Sequence, residues 1–398
     1  MALLRLAKSA FRSPCTVRTV LKWIDAACVL RRRKAMAALL LAALALAPCA
    51  VAAAPAAATG SQHDVVFTEY SALSSHSELV RRLLSPLTAL HVHRSLAQSG
   101  ERLRGQPIDL SQERFAVYVP PGGAPAPGYA LLVFVPPWPQ ATVPRNFIRG
   151  LDHHRMIFVT AANSGNDSDV FERRIPLALL AVQNIVRRYA IDPQRIFIGG
   201  LSGGSRVALR TALAYPDVFR AALLNAGSDP IGDARMALPP AELFRRFQEE
   251  TRLVYLTGGR DQLNLLLDAR SRRSLRDWCV FDLADASSTI PWSGHELANS
   301  AALDRALDAL EKHVPVDSEK RAQCRMHIDQ ELAAAEKQLG ELMASHHDDA
   351  ARALLSRIDA RFGGLAARQS VQWMDALRSE GTTSKVASDR LESPVTPH

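Results

Sequence analysis

One segment near the middle of the chain restricts its folding more than any other: Arg195-Ile-Phe-Ile-Gly-Gly-Leu-Ser-Gly-Gly-Ser-Arg-Val-Ala-Leu-Arg210. Ile196 to Ile198 is a β-branched and aromatic run, and Ala- and Leu-rich helical sequence begins within a few residues of it. Strand, sharp turn and helix are thus joined through Gly200-Leu-Ser-Gly-Gly204, a G-x-S-x-G match with Ser202 at its apex. Such a turn needs glycine because side chains at 200 and 204 would collide as the strand folds back into the helix. The plainer alternative is a Gly-rich helix start, with Ser202 or Ser205 as an ordinary cap. The flanking strand and helix favour an exposed serine nucleophile.

The same alternation extends to both sides. Phe115–Val119, Ala130–Val135 and Met156–Thr160 read as strands, the last two as uninterrupted apolar runs suited to burial on both faces. Pro176 opens a helix running to about Ala190, and Asp192-Pro193 separates it from the Ser202 strand. Ala221–Leu224, Leu253–Leu256 and Val280–Leu283 complete the strands, with a helix over Leu263–Leu275. This pattern predicts an α/β fold: a mostly parallel central sheet with helices on both faces, spanning residues 110–315. Residues 59–109 read as a helical and irregular extension, since 64–104 lack strand alternation. Residues 316–380 read as two or three amphipathic helices broken at Gly363-Gly364, and 381–398 as a disordered tail.

A formal net charge of +8 invites a nucleic-acid reading, but the excess sits in one place. Residues 1–34 hold nine Lys/Arg and one acid, leaving 39 basic and 39 acidic side chains in the remainder. No general field attracts a polyanion, so a nucleic-acid partner is not expected. Arg31-Arg-Arg-Lys34 followed by the apolar core 35–47 and a small-x-small site make residues 1–58 a leader with a secretory signal peptide. Cleavage is expected after Ala52 or Ala58, and translation is expected to start nearer Arg31 than Met1. The apolar core falls short of the ~20 residues of a membrane-spanning helix, so no stable membrane span is expected. The mature chain would be periplasmic or secreted. Its two cysteines, Cys279 and Cys324, could then pair, although sequence does not give their geometry.

A serine hydroxyl needs a base, and the base needs an orienting carboxylate. Thr257-Gly-Gly-Arg-Asp261 follows a predicted strand and places Asp261 at the carboxyl edge of the sheet, where it could also cap the next helix. Asp229, in Asn225-Ala-Gly-Ser-Asp229, is the competing acid. Ser293-Gly-His-Glu296 puts His295 on a loop after the last predicted strand; His313, His327, His346, His347 and His398 fall on helices or in the tail. The chain order Ser202, Asp261, His295 is the order such folds use. Asn163-Ser-Gly-Asn-Asp167 should face the same cleft. His91-Val-His93 and His346-His-Asp-Asp349 lack ligand spacing and read as solvated surface, so neither a metal nor a cofactor is expected.

These segments resemble the α/β-hydrolase superfamily, and within it the secreted esterases of the polyhydroxybutyrate depolymerase and feruloyl esterase type. The resemblance rests on Ile198-Gly-Gly-Leu-Ser-Gly-Gly204, Thr257-Gly-Gly-Arg-Asp261 and Ser293-Gly-His-Glu296, and covers about residues 110–315. It implies Ser202 as the acyl-forming nucleophile, His295 as general base then acid, and Asp261 as the orienting carboxylate. The oxyanion hole departs from the pattern. Gly203 N–H is one donor, but the second loop reads Pro136-Pro137-Trp138-Pro139-Gln140, in which Trp138 is the first choice and Gln140 the second. The prolines equally suit a rigid loop in which Trp138 is a pocket wall. The leading expectation is a serine esterase acting on a small-molecule ester. The alternatives are a peptidase on the same scaffold and a non-catalytic binding protein.

Overall fold

The computed structural model describes residues 58–312, 314 and 317–378; the leader up to residue 57, His313 and the tail 381–398 lie outside them. An eight-stranded sheet forms the centre: β1 (Gly60–Val65), β2 (Phe115–Val119), β3 (Tyr129–Val135), β4 (Met156–Ala161), β5 (Ile191–Leu201), β6 (Ala221–Asn225), β7 (Arg252–Leu256) and β8 (Leu283–Asp285). Their spatial order is β1-β2-β4-β3-β5-β6-β7-β8. β2 is antiparallel to both β1 and β4, and every pairing from β4 through β3 to β8 is parallel. That order, with the antiparallel second strand, is the α/β-hydrolase fold.

Alternation of side chains makes one strand serve two cores. On β3, Leu131, Val133 and Val135 point into one apolar cluster, while Ala130, Leu132 and Phe134 point into the other. Helices α1 (His76–Leu83) and α2 (Pro86–Ser99) precede the second strand. The second cluster is closed by α3 (Ile148–His153) and α8 (Ser300–Glu311), through Leu151, Leu303 and Leu307. The first is covered by α4 (Ile175–Arg188), α5 (Gly203–Ala214) and α6 (Ala241–Glu250). α7 (Gln262–Asp277) contributes Leu275 to it. α9 (Ser318–Ala344) and α10 (Asp348–Phe362) add Leu339, Leu355 and Phe362 to this same cluster, so the C-terminal helices share the core.

Three expectations need correction. The segment before residue 104 does contain a strand: β1, Gly-Ser-Gln-His-Asp-Val, has no apolar alternation because it is an outer strand held by backbone pairing to β2. The last strand lies at Leu283–Asp285 instead of Val280–Leu283. After α7 the chain is still turning at Cys279, whose φ is 62°, and Val280 is buried core. His346 and His347 occupy the turn between α9 and α10 and are not on a helix face. Cys279 and Cys324 form a disulfide that ties the end of α7 to α9. Gly363 ends α10 as expected, with φ 47°. No helix among the described residues is long and apolar enough to cross a membrane.

Candidate active site

Ser202 stands between β5 and α5 with φ 57° and ψ −119°, a conformation that side-chain-bearing residues avoid. The turn can be that tight only without neighbouring side chains. A Cβ on Gly200 would lie 2.3 Å from the Gly204 carbonyl carbon, and one on Gly204 would lie 1.9 Å from the Val135 carbonyl oxygen. The backbone N–H of Ser202 donates to Asn225 at the end of β6, 2.9 Å away, fixing the apex against the neighbouring strand.

Asp261 and His295 reach this apex from two loops that are joined to each other. Gly259 N–H donates to Ile290 and Arg260 N–H to Ser293, at 3.1 and 2.9 Å. A Cβ on Gly258 would fall 2.3 Å from the Gly294 carbonyl oxygen, which explains the glycine pair before the acid. His295 Nε2 lies 2.9 Å from Ser202 Oγ, and its Nδ1 lies 2.6 Å from Asp261 Oδ2. The imidazole side chain is 45% exposed while that of Asp261 is 7% exposed, so one end of the chain of bonds opens to solvent and the other is dry. Burial alone would raise the Asp261 pKa, but hydrogen bonds from His295 and Asn264 outweigh it and hold the carboxyl below its ordinary value. Asp261 also accepts the Asn264 N–H as the N-cap of α7, the capping place its position before that helix suggested. Asp229 instead pairs with Arg206, 3.1 Å away, which removes it from the competition.

The structure adds positioning residues that no motif announced. Asn264 Nδ2 donates to both Asp261 oxygens, at 3.0 and 2.8 Å. Asn225, 1% exposed, donates to Leu256 O and accepts from Ala298 N–H, tying β6, β7 and the segment after His295 together. Asp268 accepts hydroxyls from Ser228 and Thr257 beneath the same loops; burial pushes its pKa up against those bonds. Each is an ordinary amide or acid inside a helix or at a strand end, and only the spatial meeting of distant loops gives it meaning.

The proline-rich loop after β3 resolves in a similar way. Prolines cannot donate, but their carbonyls accept. Pro137 O takes the Asn166 N–H at 3.0 Å and Pro139 O takes the Asn163 N–H at 2.6 Å, so the Asn163–Asp167 turn is clamped to this loop. Pro136 O accepts from Arg174 Nη2 at 3.0 Å, while Arg174 Nε donates to Ser164 O at 2.8 Å. Arg174 is 4% exposed, and burial without a carboxylate lowers its pKa to about 10. Among residues 136–139 the N–H of Trp138 is the one backbone group able to donate. The Asn166 side chain lies over Gly203, since a Cβ there would come within 2.2 Å of Asn166 Oδ1. The expected cleft-facing turn therefore borders the serine. Gly203 opens α5, and the first N–H groups of a helix have no partner within it. These placements bring the loop after β3 and the Asn163–Asp167 turn up against the start of α5, next to Ser202.

No family model and no curated protein matches the chain. Among solved structures it is similar to a candidate dipeptidyl aminopeptidase IV from Bacteroides ovatus ATCC 8483, at 17% identity and a TM-score of 0.35, over 49% of this chain and 32% of that one. It is similar to a thermostable esterase at 14% identity and a TM-score of 0.35, over 54% and 59%. It is also similar to an acetyl xylan esterase from Aspergillus awamori at 14% identity and a TM-score of 0.37, over 50% and 94%. The chain covers less than two thirds of the first two proteins, and matches this distant say nothing about substrate.

Proposed function

We propose that the chain is an exported serine hydrolase that cleaves a carboxylic ester through an acyl-enzyme on Ser202. The observation that carries this reading is the continuous run of hydrogen bonds from Asp261 through His295 to a serine held on a strained turn. With Asp261 accepting the Nδ1 proton, His295 Nε2 is left free to take the proton of Ser202 as the oxygen attacks the ester carbonyl. The oxyanion that forms is held by Gly203 N–H and Trp138 N–H. His295 then returns the proton to the leaving alcohol. Water, activated by the same imidazole, releases the acid and restores the serine.

Trp292, 77% exposed with Arg260 stacked over its ring, lies in the loop that carries His295, and exposed Leu263 and Leu266 follow Asp261 on α7. Apolar surface beside the relay favours a carbon-rich acyl or alcohol group over a phosphorylated one. Export is supported by the signal-like leader together with the Cys279–Cys324 disulfide, a bond at home in an oxidising compartment. No cofactor enters the scheme.

The test is pre-steady-state hydrolysis of p-nitrophenyl acetate beside the matching anilide. The reading expects a nitrophenolate burst of about one equivalent, followed by slower turnover, with the anilide cleaved far more slowly. Equal or faster cleavage of the anilide would identify a peptidase on the same scaffold. Absence of both burst and turnover in folded protein would refute catalysis.

A further inference from the structure

The amino-end edge of the sheet, opposite Ser202, carries a second cluster of imidazoles and carboxylates. α3 runs out at His153, and His154 follows it just before β4. α8 presents Asp304, Asp308 and Glu311 at i, i+4 and i+7, hence on one face. His153 Nδ1 lies 2.9 Å from Asp304 Oδ1, and His154 Nε2 lies 3.4 Å from the same oxygen and 3.7 Å from Asp308 Oδ1. His154 Nδ1 meets Glu311 Oε2 at 3.2 Å, and that carboxylate also accepts from Arg195. The cations Arg149 and Arg305 also lie near Asp304.

His154 makes this more than a set of surface ion pairs. Its side chain is 5% exposed, and its Nε2 is buried with no hydrogen-bond partner. Its Nδ1 is held by Glu311 Oε2, and its Nε2 is turned toward the Asp304 and Asp308 carboxylates. Two carboxylates facing one buried ring nitrogen call for a positive charge there, from a proton or from a bound cation. One ligand atom from each of His153, His154 and Asp304 lies within 4.8 Å of the others. A tetrahedral ion with bonds of about 2.0–2.1 Å holds its ligand atoms about 3.3 Å apart, and the spacings of 2.9 and 3.4 Å to Asp304 bracket that value.

We propose that His153, His154 and Asp304 form a binding site for a borderline divalent cation of the Zn2+ type, with Asp308 or water as fourth ligand. Two imidazoles exclude a site built for Ca2+ or Mg2+, which take oxygen ligands. Glu311 orients the His154 ring from behind, as an outer carboxylate does for a ligating histidine. The ion braces the end of α3 against α8 and lies away from the proposed chemistry, so it is structural.

The experiment strips purified protein with a chelator, titrates it with ZnCl2 at pH 7.5 by calorimetry, and counts retained zinc by mass spectrometry after dialysis. Folding of each variant is checked by circular dichroism. One equivalent of zinc is expected on the wild-type chain, with affinity falling at least about tenfold in His153→Ala, a solvent-facing change, and in the near-isosteric Asp304→Asn. Glu311→Gln should weaken binding by about 10–100-fold. Zinc should also raise the melting temperature of wild type and of neither ligand variant, without altering Ser202 labelling. No zinc retained by wild type would overturn the proposal. Unchanged zinc affinity in either ligand variant would do the same, because the ion would then sit elsewhere.

Discussion

His295 and His154 stand at opposite edges of one sheet, and each presents its Nδ1 to a carboxylate: Asp261 at 2.6 Å in one case, Glu311 at 3.2 Å in the other. What differs is the group that meets Nε2. His295, 45% exposed, faces the hydroxyl of Ser202; His154 is buried and faces Asp304 and Asp308. A histidine–carboxylate pair is therefore not by itself a catalytic signature. A hydroxyl on the far nitrogen suits a proton relay, whereas anions there call for a positive charge, from a proton or from a bound cation.

Removing the hydroxyl from the first edge should have the largest effect. Ser202→Ala is expected to lower kcat by about 10^6-fold, with His295→Ala similar and the double variant little worse, because the two act as one unit. Steady-state kinetics on an activated ester would measure this, and additive losses would break the idea of a relay. Asp261→Asn should cost about 10^4-fold, since Nδ1 loses its anionic acceptor and an amide N–H that favours the wrong tautomer takes its place. The lowered Asp261 pKa gives this edge a pH signature as well. The hydrogen bonds to its carboxylate contribute stability that is present above the ordinary value of 3.8 and is lost as pH falls through the lower folded value. Thermal melts from pH 6 to pH 2.5 should show wild type losing its advantage over Asp261→Asn only below about 3.8.

The fold was legible in the sequence because buried parallel strands are written as unbroken apolar runs, as in β3 and β4. The meeting of Ser202, His295 and Asp261 was legible because the fold fixes their chain order, and the glycines around Ser202 and before Asp261 record close approaches that any side chain would block. Asn225, Asn264, Asp268 and Arg174 were not legible. Their partners lie on other loops, and nothing local marks a buried amide or guanidinium as a tether. The His153-His154 pair was equally silent, because its acids arrive from a helix about 150 residues later and no short spacing links them. β1 was missed for a different reason: an outer strand needs only its backbone.

Arg174 supplies a smaller test of the catalytic edge. If it holds Pro136 and so the Trp138 N–H in place, Arg174→Met should lower kcat by about 10^2–10^3-fold, the cost of one oxyanion donor, with KM little changed. Arg174→Lys should recover part of the loss. A rise in KM with constant kcat would show that the loop only shapes the binding pocket. His154→Gln should have the least effect on activity: kcat within about twofold of wild type, with the change confined to zinc binding and melting temperature. A large loss of kcat there would mean that the two edges are coupled.

The most direct measurement of the central claim is labelling of purified wild type, Ser202→Ala and His295→Ala with a tagged fluorophosphonate, with the adduct mapped by mass spectrometry. A phosphonylated Ser202 in wild type, with labelling lost in both variants, is the predicted result. An unlabelled wild-type protein that is demonstrably folded, or an adduct on any other serine, would contradict the claim that Ser202 is the activated nucleophile.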